Sequence, residues 1–353
     1  MLFSIRRGVL IGGVVMSLTA SAQDYLPILQ YHHVSDSTPA STSLSPKQFA
    51  KQMAYLKSAG FQVVDLKTAL DKIKAHESLP SKVVAITFDD GYRDIYEQGF
   101  PILKQYGYPF TVFVNSEPLK QKNPHFLTWN IMKEMEKSGA VFANHTVSHP
   151  YMARKEEGES DAAWHTRMEK EVAGVETALI KHLGHSPKML AYPYGESNHL
   201  LRNMMKEKGF IAFGQQSGVV SADSDFEDLP RFPASGRFAT LSTLKLKLNA
   251  MPMPLLKEES GDYADDNPVS LRLTFKLGKY RLKDLACYVS GQGKANLDWV
   301  SKDEVVVTAT KPFGVGRGRI NCTMPNDSSK QYYWYSNVWI RPGKDQHYII
   351  EKS

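Results

Sequence analysis

Short apolar runs recur along the first two thirds of the chain, and a stretch of helical period follows each. Pro27–Tyr31, Val83–Phe88, Phe110–Val114, Ala140–Ala143 and Met189–Ala191 are near-continuous apolar segments, the pattern of strands covered on both faces. Ser45 predicts the N-cap of a helix that carries Phe49, Met53 and Leu56 on one face and stops at Gly60. Asp94–Tyr106 predicts a second helix ending at Gly107, and Asp161–Leu183 a longer one ending at Gly184. Asn198 caps a further one that Gly209 stops. Strand and helix in alternation predict an α/β domain with a largely parallel sheet, and roughly 230 residues suit a barrel of βα units.

The texture changes after Leu256. Met251-Pro-Met-Pro254 and the acidic, polar stretch that ends at Pro268 have the composition of a linker, placed at residues 257–268. Beyond it, Val269–Leu277, Ala286–Ser290, Glu304–Ala309, Gly318–Thr323 and Tyr332–Arg341 alternate in part and are separated by Gly, Pro, Asn and Asp. This predicts an all-β, sandwich-like module over 269–353, after an α/β domain over 23–256. In its last strand, alternation puts Tyr333, Tyr335, Asn337 and Trp339 on one face, as a surface for stacking sugar rings or as the rim of a sandwich core.

The N-terminus carries a different signal. Arg6 and Arg7 precede an apolar run from Gly8 to Leu18 and the small-residue ending Thr19-Ala20-Ser21-Ala22, the layout of a secretory signal peptide over 1–22. The run is shorter than the roughly 20 residues of a membrane span, so no stable membrane insertion is expected after cleavage. Export to the periplasm or the outside of the cell fits the cysteines: Cys287 and Cys322 form an isolated pair, either a disulfide or two buried thiols. The formal net charge of +6 falls by two with the leader, and no Lys/Arg-rich run is present, which argues against nucleic acid as a partner. Nothing in the sequence sets an oligomeric state.

Two segments at predicted strand ends carry candidate chemistry. In Ile86-Thr87-Phe88-Asp89-Asp90-Gly91-Tyr92, two adjacent carboxylates follow an apolar strand, where parallel α/β domains gather reactive groups. A divalent metal lets one such Asp serve as ligand and leaves the other free as a base; a polar turn is the plainer reading. In Asn144-His145-Thr146-Val147-Ser148-His149-Pro150, two histidines four apart share a face if the segment is helical. With Asp90 they make a two-His, one-carboxylate set that leaves a coordination position open, as catalytic sites do.

These segments, with Tyr192-Pro193-Tyr194-Gly195 after them, resemble in order the motifs of polysaccharide deacetylases of the NodB homology type, carbohydrate esterase family 4. The resemblance covers roughly Leu26 to Leu256. It implies a distorted (β/α) barrel in which Asp90, His145 and His149 hold a divalent metal, usually zinc, with cobalt or nickel in some members. It implies Asp89 as general base and the Tyr194 backbone N–H as an oxyanion donor.

Two departures stand out. The late histidine that supplies the general acid in many members has no counterpart here, whereas Gln30-Tyr31-His32-His33 ends the first strand. This is similar to the subgroup acting on poly-N-acetylglucosamine, and it puts His32, or His33 as its rival, in the acid role. The arginine that precedes the proline motif in many relatives is also missing, and Arg231 is expected to steady Asp89 in its place. The expected activity is removal of N-acetyl groups from the hexosamines of an extracellular or cell-wall polysaccharide, with release of acetate. A catalytically silent polysaccharide-binding protein, or a hydrolase of O-acetyl esters or non-sugar amides, is the competing expectation.

Overall fold

A computed structural model of the chain describes residues 22–327, 331–343 and 347–348. The signal peptide expected over 1–22 lies, except for Ala22, outside the described residues.

The apolar runs form the strands they predict. β1 (Tyr25–Tyr31), β2 (Val83–Phe88), β3 (Phe110–Val114), β4 (Ala140–Asn144), β5 (Met189–Ala191) and β6 (Ile211–Phe213) lie side by side in the spatial order β6-β5-β4-β3-β2-β1. All of these pairings are parallel. β7 (Val219–Ser221) runs antiparallel to β1, and the short β8 (Phe232–Pro233) runs parallel to it. Strands β2 and β3 are buried along their whole length because the sheet curls around one apolar cluster and is covered by helices on its other face. The result is an open, curled sheet of the (β/α) barrel kind.

The helices follow from caps as much as from apolar stripes. Helix α1 (Pro46–Ser58) starts at Ser45, whose side chain accepts from Gln48 N while Gln48 reaches back to the Ser45 N–H. Such a reciprocal box stabilises by about 1 kcal/mol. Phe49, Met53 and Leu56 are its buried face, as the spacing predicts. The helix expected over Asp94–Tyr106 differs. Ile95–Gly99 is a π-helical turn, and the regular helix α2 runs only from Phe100 to Tyr106. Pro101, with no N–H to give, sits where the two meet, and Asp94 directs its carboxylate away from the helix. Helix α3 (Asp161–Leu183) is capped by Ser160 and closed at left-handed Gly184.

The stretch expected as a linker, 257–268, starts inside a strand of the second module and continues as irregular chain from 260. β9 (Ala250–Pro252) pairs in parallel with the last long strand, and β10 (Leu255–Glu259) pairs with β11 (Ser270–Phe275). Lys257, Glu258 and Glu259 thus belong to an edge strand. Exposed charges on an edge discourage pairing with other chains, and the same charges give the stretch the look of a linker. β12 (Ala286–Val289), β13 (Asn296–Trp299), β14 (Glu304–Thr308), β15 (Gly316–Pro325) and β16 (Tyr332–Arg341) complete two sheets. They enclose one core that includes Leu271, Leu273, Val305, Val307, Ile320 and Trp339. Tyr333 and Tyr335 pack on this core, so the aromatic face of β16 is the interior of the sandwich. Its opposite face meets the barrel: Trp334 sets its ring edge-on to Phe232 at 5.3 Å, and Ile340 joins a cluster with Met152, Trp164 and Tyr192.

Cys287 on β12 stands directly opposite Cys322 on β15, and the two form a disulfide inside this core. It closes a loop spanning 35 residues. Restriction of the unfolded chain by a loop of that length stabilises by about 3–4 kcal/mol. Reducing the bond, or the Cys287→Ser/Cys322→Ser pair, is expected to lower the unfolding free energy of the β module from denaturant titration by that amount, and with it the midpoint. An unchanged midpoint would refute this role.

Candidate active site

The carboxyl ends of the parallel strands converge on one point. β2 delivers Asp89 and Asp90, β4 delivers Asn144 and His145, β1 delivers Gln30 and then His32, and the turn after β5 delivers Tyr194. Asp90 Oδ1 lies 3.1 Å from His145 Nε2 and 3.3 Å from His149 Nε2. One ligand atom from each of these three residues falls within 4.8 Å of the others. The donor chemistry fits a divalent metal. His145 Nδ1 is 2.7 Å from the Ala191 carbonyl, which fixes that nitrogen as a donor and makes Nε2, which faces Asp90, the nitrogen that a neutral ring would offer to a metal.

The two histidines meet by a route other than a helix. The segment after β4 is irregular, with Thr146 and His149 in the left-handed region at φ 67° and 59°. Asn144 Oδ1 accepts from Thr146 N at 2.9 Å, and Thr146 Oγ1 accepts from His149 N at 3.1 Å. Glu171 on α3 receives both Ser148 N and Ser148 Oγ at 2.9 Å. These bonds hold a tight turn that folds the His149 ring back beside His145, with centroids 4.9 Å apart. Asp90, at φ 72°, and Tyr194, at φ 59°, are also left-handed. Each such non-glycine residue costs about 1–2 kcal/mol, and strain of this kind gathers at functional sites.

Asp89 is fully buried and has a dense set of donors. Arg231 Nη1 and Nη2 reach its two oxygens at 2.6 and 2.9 Å, and Gln30 Nε2 donates to Oδ2 at 2.6 Å. Burial works against ionisation of Asp89. The charge of Arg231, then those of His145 and His32, outweigh it and hold the carboxyl below its usual range. Arg231 is itself fully buried. Its Nε donates to the Gly214 carbonyl at 3.1 Å, and Phe113 and Phe213 present their rings at 5.3 and 5.9 Å. The structure therefore brings Arg231 to Asp89, 142 residues away in the chain.

His32 and His33 part ways. His32 Nε2 lies 3.8 Å from Asp89 Oδ2. Burial lowers its pKa, against the opposing pull of Asp89 and Asp90. His33 Nδ1 is bound to Asp94 at 2.6 Å, and its ring stacks on Tyr92 at 3.7 Å. Asp94 also accepts from Val34 N at 2.9 Å, so His33 is built into a small structural cluster. Tyr194 sits in a tight turn over Pro193–Gly195, and its backbone N–H meets no acceptor among the described residues. Gly195, at φ 67°, is packed so closely on Gln215 that an added Cβ would lie 2.6 Å from that side chain.

Several contributors carry no motif of their own. Gln30 stood inside a segment noted for its histidines. Tyr151 stacks on Tyr194 at 3.8 Å, and Arg154 lies over Tyr151 at 3.5 Å while pairing with buried Glu196 at 2.7 Å. This column braces the Tyr194 turn, and only the fold brings its members together.

The family model for polysaccharide deacetylases matches residues 76–213. Over 194 residues, 54% of this chain and 67% of the relative, the chain is 30% identical to a poly-β-1,6-N-acetyl-D-glucosamine N-deacetylase of Staphylococcus aureus. It is 25% identical to the enzyme of the same description from Escherichia coli, but spans only 35% of that longer protein. Among solved structures, the deacetylase PplD of Streptococcus pyogenes in complex with acetate superposes with a TM-score of 0.58 at 25% identity, over 64% of this chain and 98% of that one. The motifs, the strand-end geometry and these likenesses agree: this chain belongs to the polysaccharide deacetylase family and is a deacetylase.

Proposed function

We propose that the chain is a metal-dependent N-deacetylase that hydrolyses the acetamido groups of N-acetylhexosamines in an extracellular or cell-wall polysaccharide and releases acetate. The observation that carries this reading is the Asp90, His145 and His149 cluster set beside an ionised Asp89 held by Arg231. The poly-N-acetylglucosamine activity in the names of the Staphylococcus and Escherichia relatives supports the choice of bond. Export is supported by the leader pattern and by the disulfide, which belongs to oxidising compartments. No helix among the described residues is long and apolar enough to cross a membrane.

In this reading Asp90, His145 and His149 hold the metal, zinc first, with cobalt and nickel suited to the same donors. When bound, it supplies an acidified water and a pull on the acetyl oxygen. Asp89, whose ionised form Arg231 favours, takes the proton as the water oxygen bonds to the carbonyl carbon. The Tyr194 N–H, free of acceptors among the described residues and held in its strained turn, donates to the oxygen that gains charge. His32, entering the step as the protonated ring with Nε2 3.8 Å from Asp89, delivers its proton to the nitrogen as the C–N bond breaks, so acetate and a sugar amine leave and His32 is left neutral. Arg231 and Gln30 position Asp89 without touching substrate.

Acetate release from N-acetylglucosamine oligomers is expected to vanish on chelation and to return with zinc, cobalt or nickel. His32→Ala is expected to lower kcat by roughly 10²–10⁴, the usual contribution of a general acid. His33→Ala should act mainly on stability. Equal losses of kcat in both variants would remove the assignment of His32, and no release with any metal from a folded, loaded protein would favour a silent binding role. Arg231→Ala leaves Asp89 buried and unpaired, and should cost about 3–5 kcal/mol in denaturant titrations. Because the folded pKa of Asp89 is depressed, its contribution is present above the ordinary carboxyl value near 3.9 and lost as pH falls through the folded value. A stability gap between wild type and Arg231→Ala that does not narrow in acid would contradict the pairing.

A further inference from the structure

Every arginine among the described residues has a carboxylate at salt-bridge distance except Arg237, Arg317 and Arg319. These three are neighbours. Arg317 and Arg319 project from the same side of β15, two residues apart and opposite Ile340 and Val338 on the barrel-facing side of the sheet. Arg319 and Arg237 are close enough to feel each other's charge, although they come from different modules. Arg237 sits in the turn Gly236–Phe238, just past β8, on the same edge of the sheet from which His32 leaves β1.

The group borders the candidate site. Arg317 Nη1 donates to Gln215 Oε1 at 3.1 Å, and Gln215 is the residue against which the Tyr194–Gly195 turn is packed. Arg317 also lies within electrostatic reach of Tyr151 and Glu196. Arg319 is half-buried, and its Nε, fully shielded from solvent, has no hydrogen-bond partner. Arg319 and Arg237 repel each other with no carboxylate among the described residues at salt-bridge distance from either, and a shielded guanidinium nitrogen without an acceptor carries a desolvation penalty. Folding alone gives no reason to keep such an arrangement, whereas an anion lying across the solvent-facing ends of these guanidinium groups would offset their mutual repulsion. A planar guanidinium pair suits carboxylate or phosphate oxygens.

The geometry points to a subsite for an anionic group of the glycan, formed by Arg317 and Arg319 of the β module with Arg237 of the barrel, at the rim of the deacetylation site. The ligand is then an N-acetylhexosamine polymer that bears a carboxylate or a phosphate near the acetamido group being hydrolysed. That the anion belongs to a glycan rests on the deacetylase reading; that the subsite binds anions does not. The β module thereby contributes to substrate choice from a site outside the metal cluster.

Equilibrium binding to the full mature protein tests this without turnover. The probes are a neutral N-acetylglucosamine tetramer, a hyaluronan tetramer as the carboxylate arm, and an N-acetylglucosamine tetramer carrying a 6-phosphate as the phosphate arm. At least one anionic probe is expected to bind about fivefold or more tightly than the neutral one, and raising salt from about 0.05 to about 0.3 M should erase the gap. Arg317→Gln and Arg319→Gln should each weaken that probe about fivefold and leave the neutral tetramer unchanged. Arg319→Gln should also melt no lower than wild type, because it removes a half-buried charge without a partner. Equal binding of all three probes, or variants that weaken neutral and anionic probes alike with a lowered Tm, would overturn the subsite. Acetate release from the neutral tetramer, assayed on the same samples, reports separately on the deacetylase reading.

Discussion

The buried pair of Asp89 and Arg231 is the interaction on which the site depends. A carboxylate at the centre of an apolar sheet is tolerable only when paired and hydrogen-bonded, and here the partner is a bidentate guanidinium that is fully buried as well. The pairing ties the end of β2 to the residue preceding β8. It thereby fixes the edge from which His32 emerges and sets Asp90, the next residue, toward the two histidines. Gln30 and the aromatic rings around Arg231 complete a shell that leaves Asp89 little freedom to move. In the proposed reaction this rigidity is what a base needs: an ionised oxygen in one place, ready before substrate arrives.

Around that fixed point the loops are strained, and each strained residue has its own restraint. Left-handed Thr146 and His149 are held by side-chain to backbone bonds and by Glu171 on α3. Left-handed Tyr194 is held by the Tyr151, Arg154 and Glu196 column. The sandwich supplies a further layer, because one face of β16 packs on the barrel and carries the seam along which Arg317 and Arg319 lie. The second module is thus continuous with the first through β9 and β10.

Much of this was legible in the sequence, for definable reasons. Strands buried on both faces must be apolar throughout, so β1 to β5 stand out, and the residues directly after them are where function concentrates. The cluster of Asp90, His145 and His149 was legible because these residues are close in the chain to recognisable strand ends. The route by which His145 and His149 meet was not, since a four-residue spacing suits a helix and a folded-back turn alike, and only the Asn144 and Thr146 side-chain bonds decide. The split between His32 and His33 needed the position of Asp94, which the sequence places only as the first residue of a predicted helix. At the start of the stretch 257–268, Lys257, Glu258 and Glu259 misled because an edge strand and a linker share a composition of exposed charge. The Arg237, Arg317 and Arg319 group has no local signature, because its members come from two modules.

The central claim is that Asp89 acts on the reaction while Asp90, His145 and His149 hold the metal. The most direct test is Asp89→Asn, with zinc affinity measured by calorimetry on the same sample as acetate release. The account predicts zinc affinity within about threefold of wild type and kcat lower by roughly 10²–10⁴. Near-normal turnover in Asp89→Asn, or loss of zinc together with activity, would contradict it.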